Sequence, residues 1–220
     1  MYSRRIQEKV KRDYDEIAGE FAESRQFPWK EFDLFLKYYR KDFKVLDLGC
    51  GNGRLLRWLS KHEFGSYLGV DQSKNLLEIA KKEHPEQKFL LGDMTDLEGK
   101  IATGSLDVIF AIASFHHVPP RLQEKTLKSW KKLLKPGGYI FMTNWNLHQP
   151  RFWPLLLRSL IIPVYGFRGL LIPWKKSVKR YYFAFTKRRL EKLMRKAGFE
   201  VLEMKSGKNI VTVAKLSPNR

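Results

Sequence analysis

From Val45 to Gly53 the chain reads Val-Leu-Asp-Leu-Gly-Cys-Gly-Asn-Gly, a short apolar run that breaks into glycine at every second position. An apolar run of this length reads as a buried strand, and Leu55, Leu56 and Leu59 directly after it carry a helical spacing. Few architectures use a strand, a glycine loop and a helix in immediate succession. Alternating glycines let the backbone take positive φ and leave no Cβ in the way, so a flat nucleoside ligand can lie against the main chain. The loop has neither the G-x-G-x-x-G pattern of dinucleotide binders nor a Gly-Lys-Ser/Thr ending, which argues against a pyrophosphate. Asp47, just before the glycines, aims a carboxylate at the same seat, which suits an ammonium or sulfonium group and repels a phosphate. Tyr67-Leu68-Gly69-Val70-Asp71 then reads as a second strand closed by an acid, placed for a carboxylate that accepts from both hydroxyls of a ribose.

With 220 residues and 43% hydrophobic content, the chain suits one globular domain. The only cysteine, Cys50, sits inside the glycine loop, so a reducing compartment is expected. The N-terminus mixes Glu8, Asp13, Asp15 and Glu16 among its basic residues and lacks the apolar core of a secretory signal, so the expected location is cytoplasmic. The net charge of +19 is unevenly spread: Arg121 to Lys196 holds 19 Lys and Arg against Glu124 and Glu191, and no aspartate follows Asp107. So one-sided an excess points to a polyanionic partner, nucleic acid ahead of an anionic membrane.

Taken in order, Arg4 to Glu23 spaces Ile6, Val10, Tyr14, Ile17 and Phe21 as one amphipathic helix, and a second helix is expected beyond Pro28 from Phe32, Phe35, Leu36 and Tyr39. The two would cap the ligand seat. A helix from about Ser73 follows the Asp71 strand, with Ser73 as its N-cap. Lys88 to Met94 reads as a third strand closed by Asp93, positioned to accept from an adenine amino group. Leu106 to Ala113 is a fourth strand, running into Ser114-Phe115-His116-His117-Val118-Pro119-Pro120, where two histidines face whatever gathers beyond the strand ends. The remaining histidines form no obvious set with them, so no metal is expected. Leu122 to Leu134 gives another helix, stopped by Lys135-Pro136-Gly137-Gly138 before a fifth strand, Tyr139 to Thr143. Phe152 to Trp174 is apolar, but prolines, glycines and arginines cut it well short of the ~20 residues of a membrane-spanning helix. It reads as an insertion. Thr186 to Ala197 is a last helix, and Phe199 to Met204 with Ile210 to Ala214 are expected to pair as a hairpin at the sheet edge. Alternating strands and helices imply a doubly wound, mostly parallel seven-stranded sheet. The organisation expected is a helical cap over 1–42, a cofactor-binding core over 43–145, a substrate-side insertion over 146–185, and a final helix and edge strands over 186–220.

The glycine loop and the two acid-ended strands resemble the first motifs of class I S-adenosylmethionine-dependent methyltransferases. That resemblance implies S-adenosylmethionine as cofactor, bound by Asp47, Gly49, Gly51, Gly53, Asp71, Gln72, Asp93, Met94 and Ala111. The fourth strand lacks the Asn/Asp-Pro-Pro-aromatic ending used on exocyclic amines. No cysteine outside the loop can attack a pyrimidine ring, which leaves oxygen as the expected acceptor. The flanks narrow the likeness further. Tyr14-Asp15-x-Ile17-Ala18-x-x-Phe21, Ser24-Arg25-x-Phe27-Pro28-Trp29, Ile112 to His117, Asn144-Trp145-x-Leu147-x-Gln149, Ile172-Pro173-Trp174 and Arg180-Tyr181-Tyr182-x-x-Phe185 are similar to signatures of the tRNA wobble-uridine carboxymethyl methyltransferases. Phe183 departs from that family, which usually carries histidine after the paired tyrosines.

The likeness implies methyl-ester formation on a carboxymethyl group at the wobble uridine, tRNA as partner, and the small activator subunit found with some members. A carboxylate is already ionised at neutral pH, with an ordinary pKa near ~4, so its attack on a sulfonium methyl requires no catalytic base. Orientation is the task, and Arg25, His116, His117, Asn144, Arg180 and Tyr181 are the candidates for it. The alternative expectation is a small-molecule or lipid O-methyltransferase whose insertion lies on a membrane surface.

Overall fold

The computed structural model describes residues 2–175 and 178–217, so Lys176 of the basic window lies outside the described residues. The first seven elements are α1 (Tyr2–Glu16), α2 (Ala18–Glu23), β1 (Lys44–Leu48), α3 (Leu56–Leu59), β2 (Ser66–Asp71), α4 (Lys74–Glu83) and β3 (Lys88–Leu91). After them come β4 (Leu106–Ile112), α5 (Gln123–Leu133), β5 (Leu134–Trp145), α6 (Trp153–Ile161), β6 (Gly169–Trp174), β7 (Val178–Phe183), α7 (Lys187–Lys196), β8 (Phe199–Ser206) and β9 (Asn209–Leu216). Seven strands form one sheet in the order β3-β2-β1-β4-β5-β9-β8, parallel except at β9, and β6 pairs with β7 in a separate antiparallel hairpin. The fold is the mixed α/β, mostly parallel seven-stranded Rossmann-like methyltransferase fold.

Strand alternation explains why both faces of the sheet are buried. Along β4, Ile109 and Ala111 point into a core shared with Trp130, Met142 and Leu190, while Val108, Phe110 and Ile112 point into an aromatic core with Phe35, Trp58 and Phe141. Phe35 stacks on Phe141 at 4.7 Å between ring centroids. Strands β1, β2 and β3 run outward in one direction from the centre and β4, β5 in the other, so the crevice opens between the carboxyl ends of β1 and β4. Both the glycine loop and the His116-His117 segment leave the sheet there.

Three local expectations change. The helix over 4–23 breaks at Ile17, which takes φ −97° and ψ 9°, and the neighbouring Gly19 favours such a break. The second helix shrinks to one 3₁₀ stretch, Lys30–Phe35, because Phe32 and Phe35 are both fully buried and a three-residue turn stacks positions i and i+3. Lys135-Pro136-Gly137-Gly138 does not precede the fifth strand but bulges within it: Leu106 pairs with Leu134 and Val108 with Tyr139. The insertion is ordered into α6 and the β6-β7 hairpin. Of α6, only Ser159 is buried; Trp153, Leu157, Leu160 and Ile161 are between 46% and 79% exposed, and Ile162, Val164 and Phe167 extend this apolar face. No helix among the described residues is long and apolar enough to cross a membrane.

Candidate active site

At the mouth of the crevice Gly49 takes φ +73°, and a Cβ built on it falls 2.4 Å from the Cβ of Ser114, whose hydroxyl donates to the Leu48 carbonyl at 2.7 Å. The loop is thus pressed onto the end of β4. Gly51, φ +58°, differs: a Cβ there meets nothing nearer than Phe21 at 3.8 Å, so it would protrude into the cavity. The cavity is open to solvent, and about 1060 Å³ of unfilled space lies within and in front of it. Asp47, Gly49, Gly51, Asp71, Gln72, Asp93 and Met94 line it.

Three acids enter from three strand ends. Asp71 accepts from Gly51 N–H through Oδ2 (2.8 Å) and from Ser73 N–H through Oδ1 (2.9 Å), which leaves each oxygen further acceptor capacity. Its pKa is raised by burial against the pull of those amides. Asp47 is pushed up to about 7 by burial, although the Tyr67 hydroxyl donates to it at 3.0 Å. Asp93 accepts from Gln7 Nε2 (2.8 Å) and from Thr95 N–H (2.7 Å), while Asp15 of the same helix α1 accepts from the Ser73 hydroxyl (2.7 Å). These bonds fasten α1 across the ends of β2 and β3.

Much of the rest of the lining is cationic and aromatic. Burial pushes the Arg54 guanidinium down to about 10, leaving it cationic at neutral pH. It lies 4.2 Å above the Trp29 ring, and its Nη1 is buried with no partner among the described residues. Arg180, 3% exposed, sits 4.6 Å above Trp174 and donates from Nη1 to the Tyr14 hydroxyl at 3.3 Å. Neither it nor Arg25 forms an ion pair among the described residues. Tyr14 is also 2.9 Å from His117 Nε2, and His117 Nδ1 is 2.6 Å from the Tyr181 carbonyl. A carbonyl can only accept, so Nδ1 carries the proton and Nε2 accepts from Tyr14. Burial drives His117 down to about 3 and His116 well below the ordinary histidine range. Both rings are neutral across physiological pH.

The structure brings Arg25, His117 and Arg180 of the orienting set to the cavity but not His116, Asn144 or Tyr181. His116 accepts a hydrogen bond from Trp145 N–H (3.2 Å) and stacks on Tyr182, with Asn144 buried beside it. Tyr181 points into the core on the far side of β7, toward Tyr165, as alternation from Arg180 requires. Two cofactor candidates also lie off the cavity. Ala111 is fully buried in the core because its side chain alternates away from that of Ile112, and Gly53 serves the loop instead by leaving room for His84, 2.9 Å from a built Cβ. Phe183 likewise faces away, under the Arg189 guanidinium.

Residues not foreseen at the cavity include Arg54, Tyr14, Trp145 and Tyr182. Period-two alternation from Arg180 would have selected Tyr182, and a cation directly after the last loop glycine would have selected Arg54.

Residues 46–142 match the family model described as a methyltransferase domain. The tRNA (carboxymethyluridine(34)-5-O)-methyltransferase of Macaca fascicularis is 34% identical over 67% of this chain. The chain spans only 21% of that relative's length. An S-adenosylmethionine-dependent methyltransferase from Methanosarcina mazei superposes with TM-score 0.75 over 88% of this chain and 100% of its own, at 20% identity. A Haloferax volcanii methyltransferase solved in complex with its Trm112 activator does so with TM-score 0.72 over 96% of this chain and 99% of its own, at 18% identity. A loop that a Cβ would fill, a buried guanidinium without a partner among the described residues and three acids at strand ends fit a nucleoside bearing both an ammonium and a carboxylate, and with the match over residues 46–142 they give the chain a methyltransferase domain suited to S-adenosylmethionine.

Proposed function

We propose that the enzyme methylates the carboxylate of a carboxymethyl group on the wobble uridine of tRNA, forming a methyl ester. The observation that carries this reading is the fixed polarity of the chain Arg180 → Tyr14 → His117 → Tyr181 carbonyl. His117 has spent its only lone pair on Tyr14 and its proton on a carbonyl, so the cavity holds no histidine ready to take a proton from a hydroxyl acceptor. What it holds instead are two guanidinium groups, Arg25 and Arg180, without ion-pair partners among the described residues. That suits an acceptor that arrives as an anion. The activity of the Macaca relative supplies the acceptor class.

In this reading Asp71 accepts from the ribose hydroxyls, Asp93 from the adenine amino group, Asp47 faces the ammonium and Arg54 the carboxylate of the cofactor, with Gln72 and Met94 beside them. The cofactor supplies a sulfonium-bound methyl. Arg25 and Arg180 orient the acceptor carboxylate, Tyr182 and Trp145 flank its base, and the burial of the wall keeps water out. Transfer of that methyl to the carboxylate would neutralise an anion and a cation together and would move no proton, so no residue of the cavity would have to act as a base. Orientation of this kind supplies roughly 7 to 11 kcal/mol, without a catalytic base. The residues from the helical cap to the last strand act as one methyltransferase domain in the cytoplasm, and a small activator subunit, as in the Haloferax complex, is a partner to test by co-expression.

Incubation with labelled S-adenosylmethionine and total tRNA should yield a labelled nucleoside whose label mild base releases. Label that resists base, or none in tRNA, removes the ester assignment. The exposed apolar face of α6 favours a second reading, an O-methyltransferase acting on a small molecule or lipid at a membrane surface. Label appearing in a lipid extract and not in tRNA would select it.

A further inference from the structure

A second cleft adjoins the cavity. It shares Arg25, Trp29 and Trp145 with the first, so two indoles and a guanidinium form the partition where the two meet. Beyond the partition, Lys30, Arg151 and Lys208 line it, and none forms an ion pair among the described residues. Its one acid, Glu31, accepts from Asn209 Nδ2 at 3.1 Å. Gln149 Nε2 donates to the Asn146 carbonyl (2.7 Å) and the Lys208 carbonyl (3.2 Å), and Asn146 Nδ2 donates to the Gly207 carbonyl (3.0 Å). Those bonds tie the turn after β5 to the β8-β9 turn, so the floor is built before any ligand arrives.

The chemistry of the cleft is partly buried indole beside cations without ion-pair partners among the described residues, Arg151 lying 4.5 Å over the Phe152 ring. Trp29 already carries Arg54 on one side, and Trp145 stacks on Tyr182 at 5.0 Å; both of those partners line the first cavity. What each indole offers the second cleft is its remaining surface. A flat base that stacks and a phosphate that pairs, joined at nucleotide spacing, use both features. An acidic peptide uses only the cations, and a bilayer cannot follow a concave floor.

Resting on the RNA reading above, we propose that this cleft seats the nucleotide next to the acceptor uridine in a single-stranded loop. Its base lies against the Trp29-Trp145 partition and its phosphates lie on Arg151 and Lys208. Recognition of the neighbour does not involve the carboxymethyl group, so it is testable with unmodified RNA.

The test uses the full chain and an Arg151→Glu/Lys208→Glu double variant, with unmodified hexauridylate as the probe and tryptophan quenching as the readout. Wild type should be quenched, and the variant should bind at least about tenfold more weakly. Its log K against log salt should be flatter by roughly 1.4, the slope of two single-strand phosphates. S-adenosylmethionine affinity by calorimetry should be equal in both. Polyglutamate of matched charge should compete poorly. Equal hexauridylate binding by the variant, or polyglutamate or anionic vesicles competing as well as RNA, overturns the assignment. If tRNA is methylated with the same KM by both proteins, the cleft assignment falls while the ester reading stands. If wild type never methylates tRNA yet binds hexauridylate through these two cations, the acceptor reading falls and the cleft remains.

Discussion

Gly49 leaves no room for another residue, because a side chain there would need both an unfavourable positive φ and the space occupied by Ser114. Gly49→Ala should lower stability by about 3 kcal/mol or more, measured by denaturant unfolding; a change below about 1 kcal/mol would mean that the loop relaxes freely. Asp47 makes a different statement. In the folded chain it keeps its proton up to about pH 7, whereas in the unfolded chain it ionises near 3.8. Between those values the native state binds more protons, so this group's stabilisation is whole below about pH 4, falls as pH rises, and is gone above about 7. Asp47→Asn removes that dependence while Tyr67 keeps an acceptor. The melting temperature of the cofactor-free variant should therefore rise relative to wild type from pH 4 to 7 and then run parallel; parallel curves throughout would show that Asp47 is ionised in the native state. Single-turnover methyl transfer should stay flat from about pH 6 to 9, because an acceptor carboxylate is ionised and His117, with a pKa of about 3, is neutral over that whole range. A histidine-like rise in rate would return His117 to the role of base.

At the scale of elements, legibility in the sequence followed how far periodicity alone decides the outcome. The glycine loop, β1, β2 and the final hairpin could be read because a two-residue alternation or a buried run has one structural meaning. The 3₁₀ stretch at Lys30–Phe35 could not, since Phe32 and Phe35 suit an α-helix as well as a tighter turn until the stacked Phe141 is known. The bulge at Pro136-Gly137 was hidden because the same residues also end helices. On β7 the motif Arg-Tyr-Tyr drew attention to adjacent residues, whereas a strand offers only every second one to a cavity. A paired experiment follows from that alternation. Tyr181→Phe removes a hydroxyl that has no partner among the described residues and lies in the core, and should leave kcat/KM within about twofold. Arg180→Gln should lower it by at least about tenfold, the loss of a charge-assisted contact. Equal effects of the two would mean that β7 is set in another register.

For the molecule as a whole, the division of charge was visible from composition, but its relation to apolar surface was not. The sequence showed Phe152 to Trp174 as a broken apolar segment; only packing reveals that α6 turns Ser159 inward and Leu157, Ile161 and their neighbours outward. The inverted face has a colloidal consequence. Molecules carrying +19 repel one another at low ionic strength and keep these sticky faces apart, but at 1 M salt the repulsion extends only about 3 Å. The second virial coefficient from static light scattering should fall from positive to negative as salt is raised, the reverse of a protein whose self-association is ionic. Leu157→Lys/Ile161→Lys should keep it positive at every salt concentration, so the same nine-residue helix that leaves an apolar face in water also sets the conditions under which the protein can be concentrated.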